Sequence, residues 1–253
     1  MVRKNILITG SGSGLGRAMA IRLAEEGNNI ILNGRTESKL LETEKILQNY
    51  DVKTLIKIGD ISDSKFVEPM ISEIVSELEL LHIAINNAGI SGRPISILRT
   101  SEKEMQELMD INFKGTWLVS KYAARAMKKQ RQLEPFRGKI INVSSFAGLE
   151  PMPNLGIYSC SKAAVNCLTH TLAKELAPTI TVNAICPGYH ATPMYNNDPN
   201  LCQAMWNSIN MKPLLKRAGT AEDVVGLISF LVSDDSNYIT GQIISVCGGV
   251  VLH

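Results

Sequence analysis

Short apolar runs alternate with longer amphipathic stretches from one end of the chain to the other. The runs are Asn5 to Thr9, Asn29 to Asn33, Thr54 to Ile58, Leu81 to Ile85, Lys139 to Val143, Thr181 to Ile185 and Gln242 to Val246. Each is short, near-continuously hydrophobic and rich in β-branched residues, as strands buried on both faces are. Between them, helical spacing of apolar residues appears at Ala18 to Glu26, Thr36 to Tyr50, Gly115 to Gln130, Tyr158 to Ala177 and from Thr220 to Val232, with a capping box at Ser101 to Glu104 opening another helix. Strand and helix in strict alternation predict an α/β fold, a doubly wound seven-stranded parallel sheet with helices on both faces. No repeat, low-complexity tract or Pro/Gly/Ser linker interrupts the pattern, so residues 1–253 are expected to form a single domain.

Composition narrows the class. The 253 residues are 45% hydrophobic, and 26 Lys+Arg against 24 Asp+Glu leave a formal charge of +2. With no basic block, nucleic acid is not an expected partner; Lys128, Lys129 and Arg131 are explained by a helix C-terminus, which favours cations. The first apolar run is too short for a signal peptide and no 18 uncharged apolar residues run together, so a cytoplasmic protein without membrane contact is expected. Five cysteines, at 160, 167, 186, 202 and 247, form neither a CxxC pair nor a zinc spacing. They read as reduced thiols used as small apolar residues, with Cys202 the one expected to be exposed, and no metal is implied.

Candidate chemistry gathers where the expected strands end. After the first strand comes Thr9-Gly10-Ser11-Gly12-Ser13-Gly14-Leu15-Gly16. Glycines there let the backbone approach a pyrophosphate while the free N–H groups and dipole of a helix start face the negative charge. Strand two ends in Gly34-Arg35, at the distance from the glycines where a dinucleotide site selects its cofactor. It offers a guanidinium fork for a 2′-phosphate rather than a carboxylate for a ribose hydroxyl, which favours NADP over NAD. Asp60, before Ile61, either accepts from an adenine amino group or caps the next helix. Asn86-Asn87-Ala88-Gly89 is either a ligand-lining turn or one locked by asparagine. Asn112, near the far end of its helix, reads most simply as a cap. Strand five runs into Ser144-Ser145, and Pro187-Gly188 follows strand six. The Met-, Asn- and Pro-rich stretch 189–215 is long for an irregular segment and suggests a lid over a site. Phe146, Leu149, Met152, Tyr189, Met194, Tyr195 and Trp206 are either pocket wall or plain packing.

Tyr158 and Lys162 stand four apart on one helix and therefore on one face. A positive charge about 5 Å from a phenol, at an effective dielectric of about 20, lowers its pKa by about two units from about 10. The pair would make a proton donor, though the same spacing also arises by chance on amphipathic helices. His170, on that helix, reads as a packed or surface residue.

Taken together, Thr9-Gly10-x-x-x-Gly14-x-Gly16, Asn86-Asn87-Ala88-Gly89, Asn112, Ser145 thirteen residues before Tyr158, Lys162 and Pro187-Gly188-x-x-x-Thr192 resemble the short-chain dehydrogenase/reductase family, over about Ile6 to Gly249. Its members similar to 3-oxoacyl-carrier-protein reductases come nearest. The resemblance implies a Rossmann fold and a tetrad in which Ser145 bonds the substrate oxygen, Tyr158 passes the proton, Lys162 lowers the tyrosine pKa and holds the nicotinamide ribose, and Asn112 anchors a water. It implies hydride exchange with a small-molecule carbonyl or alcohol, and a cofactor held by residues 10–16, Arg35, Asp60, Ile61, Asn87, Ala88, Gly89, Tyr158, Lys162, Pro187, Gly188 and Thr192. It also implies a homotetramer built on helices such as Gly115 to Gln130 and Tyr158 to Ala177. Three positions depart from the family pattern: His190 replaces an aliphatic residue before Thr192, Cys247 replaces an aspartate, and Ala177 to Ile180 is short and lacks a basic docking residue. The last argues against a role in fatty-acid synthesis.

Overall fold

The computed structural model describes residues 3–130, 137–192, 203–205, 207 and 211–252. The strands are β1 (Asn5–Thr9), β2 (Asn29–Gly34), β3 (Thr54–Ile58), β4 (Ile83–Asn86), β5 (Gly138–Val143), β6 (Ile180–Pro187) and β7 (Ile243–Val246). All pair in parallel, in the order β3-β2-β1-β4-β5-β6-β7. The five inner strands are buried along nearly their whole length, whereas β3 and β7, at the edges, are only partly so. That explains why the inner strands read as near-continuous apolar runs.

Helices α1 (Gly14–Glu25), α2 (Glu37–Leu47), α3 (Ser64–Leu78), α4 (Glu102–Met109), α5 (Thr116–Lys129), α6 (Gly156–Leu176) and α7 (Glu222–Val232) cover the two faces. The alternation within each strand decides which face receives which helix. Leu7, Ile31, Ala84, Ile140 and Val182 pack against α3, α5 and α6. Their strand neighbours Ile6, Ile8, Ile30, Leu32, Ile83, Ile85 and Ile141 pack against α1, α2 and α7. A third cluster, with Phe146, Met152, Leu155, Tyr189 and Cys247, sits beyond the carboxyl ends of β5, β6 and β7.

Three local expectations are corrected. Helix α1 begins at Gly14, not Ala18, because the glycines that weaken helix propensity form its first turn. Asn112 does not cap a helix end: the chain passes from α4 through a six-residue π-helical stretch, Asp110–Gly115, directly into α5, and Asn112 points inward from it. Asp60 does not cap α3; Asp63 does, accepting from Lys65 N–H at 2.9 Å. Cys160 and Cys167 are exposed on α6 while Cys186 and Cys247 are buried, so only the latter two serve as core residues. Cys202, Met194, Tyr195 and Trp206 lie outside the described residues, as does most of the expected lid.

Candidate active site

Parallel strands deliver their carboxyl ends to one edge, and at β1 and β4 the chain winds away in opposite directions, which opens a crevice. A cleft of about 600 Å³ lies there, lined from the glycine turn through Arg35 and Asp60 to Ser145, Tyr158, Lys162, Gly188 and Thr192.

One wall is backbone. Gly10 adopts φ 66°, and a Cβ on it would stand 2.8 Å from Ala88 Cα; one on Gly12 would stand 2.9 Å from Lys39 Cβ. Both positions need glycine, for conformation or for space. Ser13, the residue before α1, makes no side-chain cap, so the first N–H groups of α1 meet the cleft uncapped. Ser11 and Gly16 do not line the cleft: the Ser11 hydroxyl is buried against Asn33, accepting from its N–H at 3.0 Å, and Gly16 packs on Gly10. Asn87 resolves toward the locked turn, its amide donating to Thr9 O (2.9 Å) and Gly10 O (3.2 Å), and Thr9 Oγ1 accepts from Asn87 and Ala88 N–H. What Asn87, Ala88 and Gly89 offer a ligand is a shaped backbone.

Where β2 and β3 end, Arg35 pairs with Asp60 at 3.6 Å. Burial opposes ionisation of Asp60, but hydrogen bonds from the Ser62 N–H and hydroxyl, each 2.8 Å, together with the Arg35 charge, outweigh it and hold the carboxyl below its ordinary pKa. Ile61 lies beside it. Thr36 and Lys39 also face the cleft here. Sequence reading missed Lys39, although its place one turn after Arg35 at the start of α2 was a usable signal.

The opposite wall is side chains. Tyr158 stands in the first turn of α6, with the Ser145 hydroxyl close enough to its phenol to favour the ionised form. Lys162 lies one turn further, its Nζ 6.0 Å from the Tyr158 ring centroid and donating to Val143 O at 2.9 Å. Burial pulls its pKa down to about 8, partly opposed by Cys186. Burial also raises the Tyr158 pKa, with Ser145 pulling the other way. The expected downward shift is therefore corrected: desolvation outweighs the contribution of Ser145, and the Lys162 amine is turned to the Val143 carbonyl. Ser145 is held by accepting from Ala147 N–H (3.1 Å), and Ser144 Oγ donates to Lys162 O (3.0 Å), clamping β5 to α6.

Asn112 is wholly buried behind this wall. It accepts from Ile90 N–H and donates to Ile90 O, both 2.9 Å, and donates to Ser161 Oγ at 3.0 Å, which in turn donates to Tyr158 O at 2.7 Å. A Cβ on Gly89 would meet both Asn112 Oδ1 (3.1 Å) and Lys162 Nζ (3.3 Å), so the two side chains share one neighbourhood. At the far end, Gly188 passes so close to β7's exit that a Cβ would lie 2.6 Å from Cys247 Cα. His190 is buried with Nδ1 3.1 Å from Gly188 O; a carbonyl only accepts, so Nδ1 carries the hydrogen, and burial lowers the imidazole pKa and keeps it neutral. The Phe146 and Tyr189 ring centroids lie 4.9 Å apart; Phe146 lines the cleft, while Tyr189 packs behind it.

Glycines whose missing Cβ atoms leave the turn open, uncapped helix N–H groups and a basic pair at the end of β2 fit a dinucleotide with its pyrophosphate over α1. Among the described residues, no group of His, Cys, Asp and Glu is arranged to hold a metal ion, and no helix is long and apolar enough to cross a membrane.

The comparisons agree with this geometry. A family model described as enoyl-(acyl carrier protein) reductase matches residues 10–251. The chain is 39% identical to a diacetyl reductase [(S)-acetoin forming] of Staphylococcus epidermidis, covering 98% of each chain. It is 34% identical to the 3-oxoacyl-[acyl-carrier-protein] reductase FabG of Thermotoga maritima, again over 98% of each. Among solved structures it is similar to an NAD⁺-bound xylitol dehydrogenase, with TM-score 0.85 and 30% identity over 97% of this chain and 98% of that one. Near-complete coverage by relatives of this kind, on a Rossmann sheet with an NAD(P)-shaped cleft, identifies the protein as an oxidoreductase enzyme of the short-chain dehydrogenase/reductase family.

Proposed function

We propose that this enzyme is an NADP-dependent reductase of small ketones, reversible as an alcohol dehydrogenase, with Tyr158 as the proton donor. The observation that carries the reading is the convergence of Ser145, Tyr158 and Lys162 on the same cleft that the glycine turn lines. The bound nicotinamide would supply the hydride. The chain's own residues hold the carbonyl and manage the proton. Ser145 Oγ–H and the Tyr158 phenol would both donate to one carbonyl oxygen, and Tyr158, a neutral phenol at pH 7 whose pKa burial raises further, would give up its hydrogen as that oxygen gains charge. Lys162, with a pKa of about 8, is mostly charged at pH 7 and stabilises the phenolate left behind. Asn112 holds the first turn of α6 in place through Ser161. Arg35 and Lys39 would take the 2′-phosphate, Arg35 exchanging its contact with Asp60 for the stronger anion. The S. epidermidis relative's substrate, a vicinal diketone, is the natural first compound to try.

A second reading, an NAD-dependent polyol dehydrogenase, is favoured by the likeness to xylitol dehydrogenase. Absorbance at the nicotinamide band, followed with butanedione and a panel of ketones and polyols under NADPH and NADH, separates the two. Tighter binding and faster turnover with NADPH is expected; a preference for NADH removes Arg35 as a phosphate ligand. Assembly as a homotetramer through α5 and α6 is supported by the exposed Trp117, Cys160 and Cys167 on those helices, and sedimentation would test it.

A further inference from the structure

A second cavity of about 170 Å³ adjoins the cleft, and the two share Ile90, Ser91, Gly92, Leu155 and Tyr158. The proposed chemistry makes no use of it. Tyr158, Ile90 and Leu155 border both spaces together with the small Ser91 and Gly92; Gly92 is held at φ 68°, and a Cβ on it would touch Leu108 at 3.2 Å. A substrate whose carbonyl faces Tyr158 has the second space next to it, on the side of Ser91 and Gly92.

The cavity has an apolar floor, since Leu108 and Leu155 are buried, and a polar rim of Thr100, Arg93, Glu104 and Glu107. Arg93 pairs with Glu104. Glu104 is fixed a second time by the capping box, where its carboxylate accepts from Ser101 N–H at 2.9 Å and Ser101 Oγ–H at 2.7 Å. Those two charges cancel. Glu107 then leaves the rim with one negative charge in excess, an acceptor for hydroxyl hydrogens and a repellent for carboxylate or phosphate. At about 30 Å³ per water of liquid volume, the space suits an arm of three or four carbons with its hydroxyls, and no long acyl chain.

We infer that this cavity seats the distal arm of the substrate and selects a short, neutral, hydroxylated chain of the kind a ketose carries. The inference rests on the reading of Tyr158 as the proton donor, and names the substrate class for that site.

The test compares kcat/KM for xylulose, butanedione and 4-oxopentanoate in the full-length enzyme and in two variants, with the preferred reduced nicotinamide cofactor. Ile95→Trp puts an indole into the cavity from a half-buried loop position whose backbone bond, Ile95 N–H to Asn154 O at 2.7 Å, does not involve the side chain. It should lower the ratio of xylulose to butanedione by about tenfold or more. Glu107→Lys, a change on the exposed face of α4, should raise the ratio of 4-oxopentanoate to xylulose by about tenfold. Both ratios staying within about twofold of the parent, or a parent that reduces butanedione but not xylulose, overturns the inference and leaves the reductase reading intact. If no carbonyl compound is reduced at all, the reductase reading fails and the arm site falls with it.

Discussion

A buried lysine lies against each end of strand β5. Lys139 lies near its start, and Val143 at its finish offers the carbonyl that holds Lys162. Burial draws both amines down to a pKa of about 8. Lys139 donates to Ser236 Oγ at 2.8 Å and to Ser233 O, at the C-terminus of α7, where Lys4 binds Val232 O and Asp234. It closes a helix end against the amino edge of the sheet, and it lines neither the cofactor cleft nor the cavity beside it. Lys162 binds one backbone carbonyl and otherwise lines the cofactor cleft beside Tyr158. A displaced pKa alone therefore does not mark a reacting group in this fold; what the amine faces does.

The sharpest way to break that distinction is to remove what Lys162 faces. Tyr158→Phe should cut ketone turnover by about 10³-fold or more, the upper part of the range for losing a general acid, with NADPH affinity changed by less than about twofold in a fluorescence titration. Retained turnover would make Lys162 as structural as Lys139. A third cation extends the comparison to the exposed rim. Arg35→Leu should raise KM for NADPH by about tenfold or more and leave NADH nearly unchanged, as expected for a lost charged hydrogen bond; equal effects on both cofactors would make Arg35 only the partner of Asp60.

The smallest effect concerns stability. In the unfolded chain a lysine titrates near about 10.4. Between pH about 8 and about 10.4 the unfolded state therefore binds more protons at these lysines than the folded state does, and stability gains from rising pH in that window. Below about 8 both states are protonated and the penalty of burying the charge is constant. In Lys139→Met the gain from that site disappears, so melting curves taken from pH 7.5 to about 10.5 should shift in favour of the parent as pH rises. Parallel curves would mean Lys139 is not desolvated in the folded state.

The same contrast explains what could be read from the sequence. All seven strands were legible because buried parallel strands carry their own signature, and Gly10, Gly12, Gly14, Arg35, Ser145, Tyr158 and Lys162 were legible because each motif sits directly after a strand or within one turn of another. Three things were hidden. Asn112 looked like a cap because a π-helical stretch cannot be told from a helix end by periodicity, and its partners Ile90 and Ser161 are 22 and 49 residues away. Asp60 read equally as an adenine ligand or as a helix cap; the cap is Asp63, and Asp60 instead meets Arg35 from the neighbouring strand's end. The direction of the Tyr158 shift was misjudged because spacing gives the lysine's proximity but not the burial of both groups, nor the Val143 carbonyl that draws the amine aside.

The decisive measurement sets Lys162→Met beside Lys139→Met in one steady-state assay, with NADPH and butanedione at pH 7. The expected result is a loss of about 10²-fold or more in kcat/KM for Lys162→Met with a cooperative melt preserved, and activity within about twofold of the parent for Lys139→Met. Equal losses in the two variants, or an active Lys162→Met enzyme, would contradict the claim that the lysine's outlook on the cleft, and not its burial, makes it part of the chemistry.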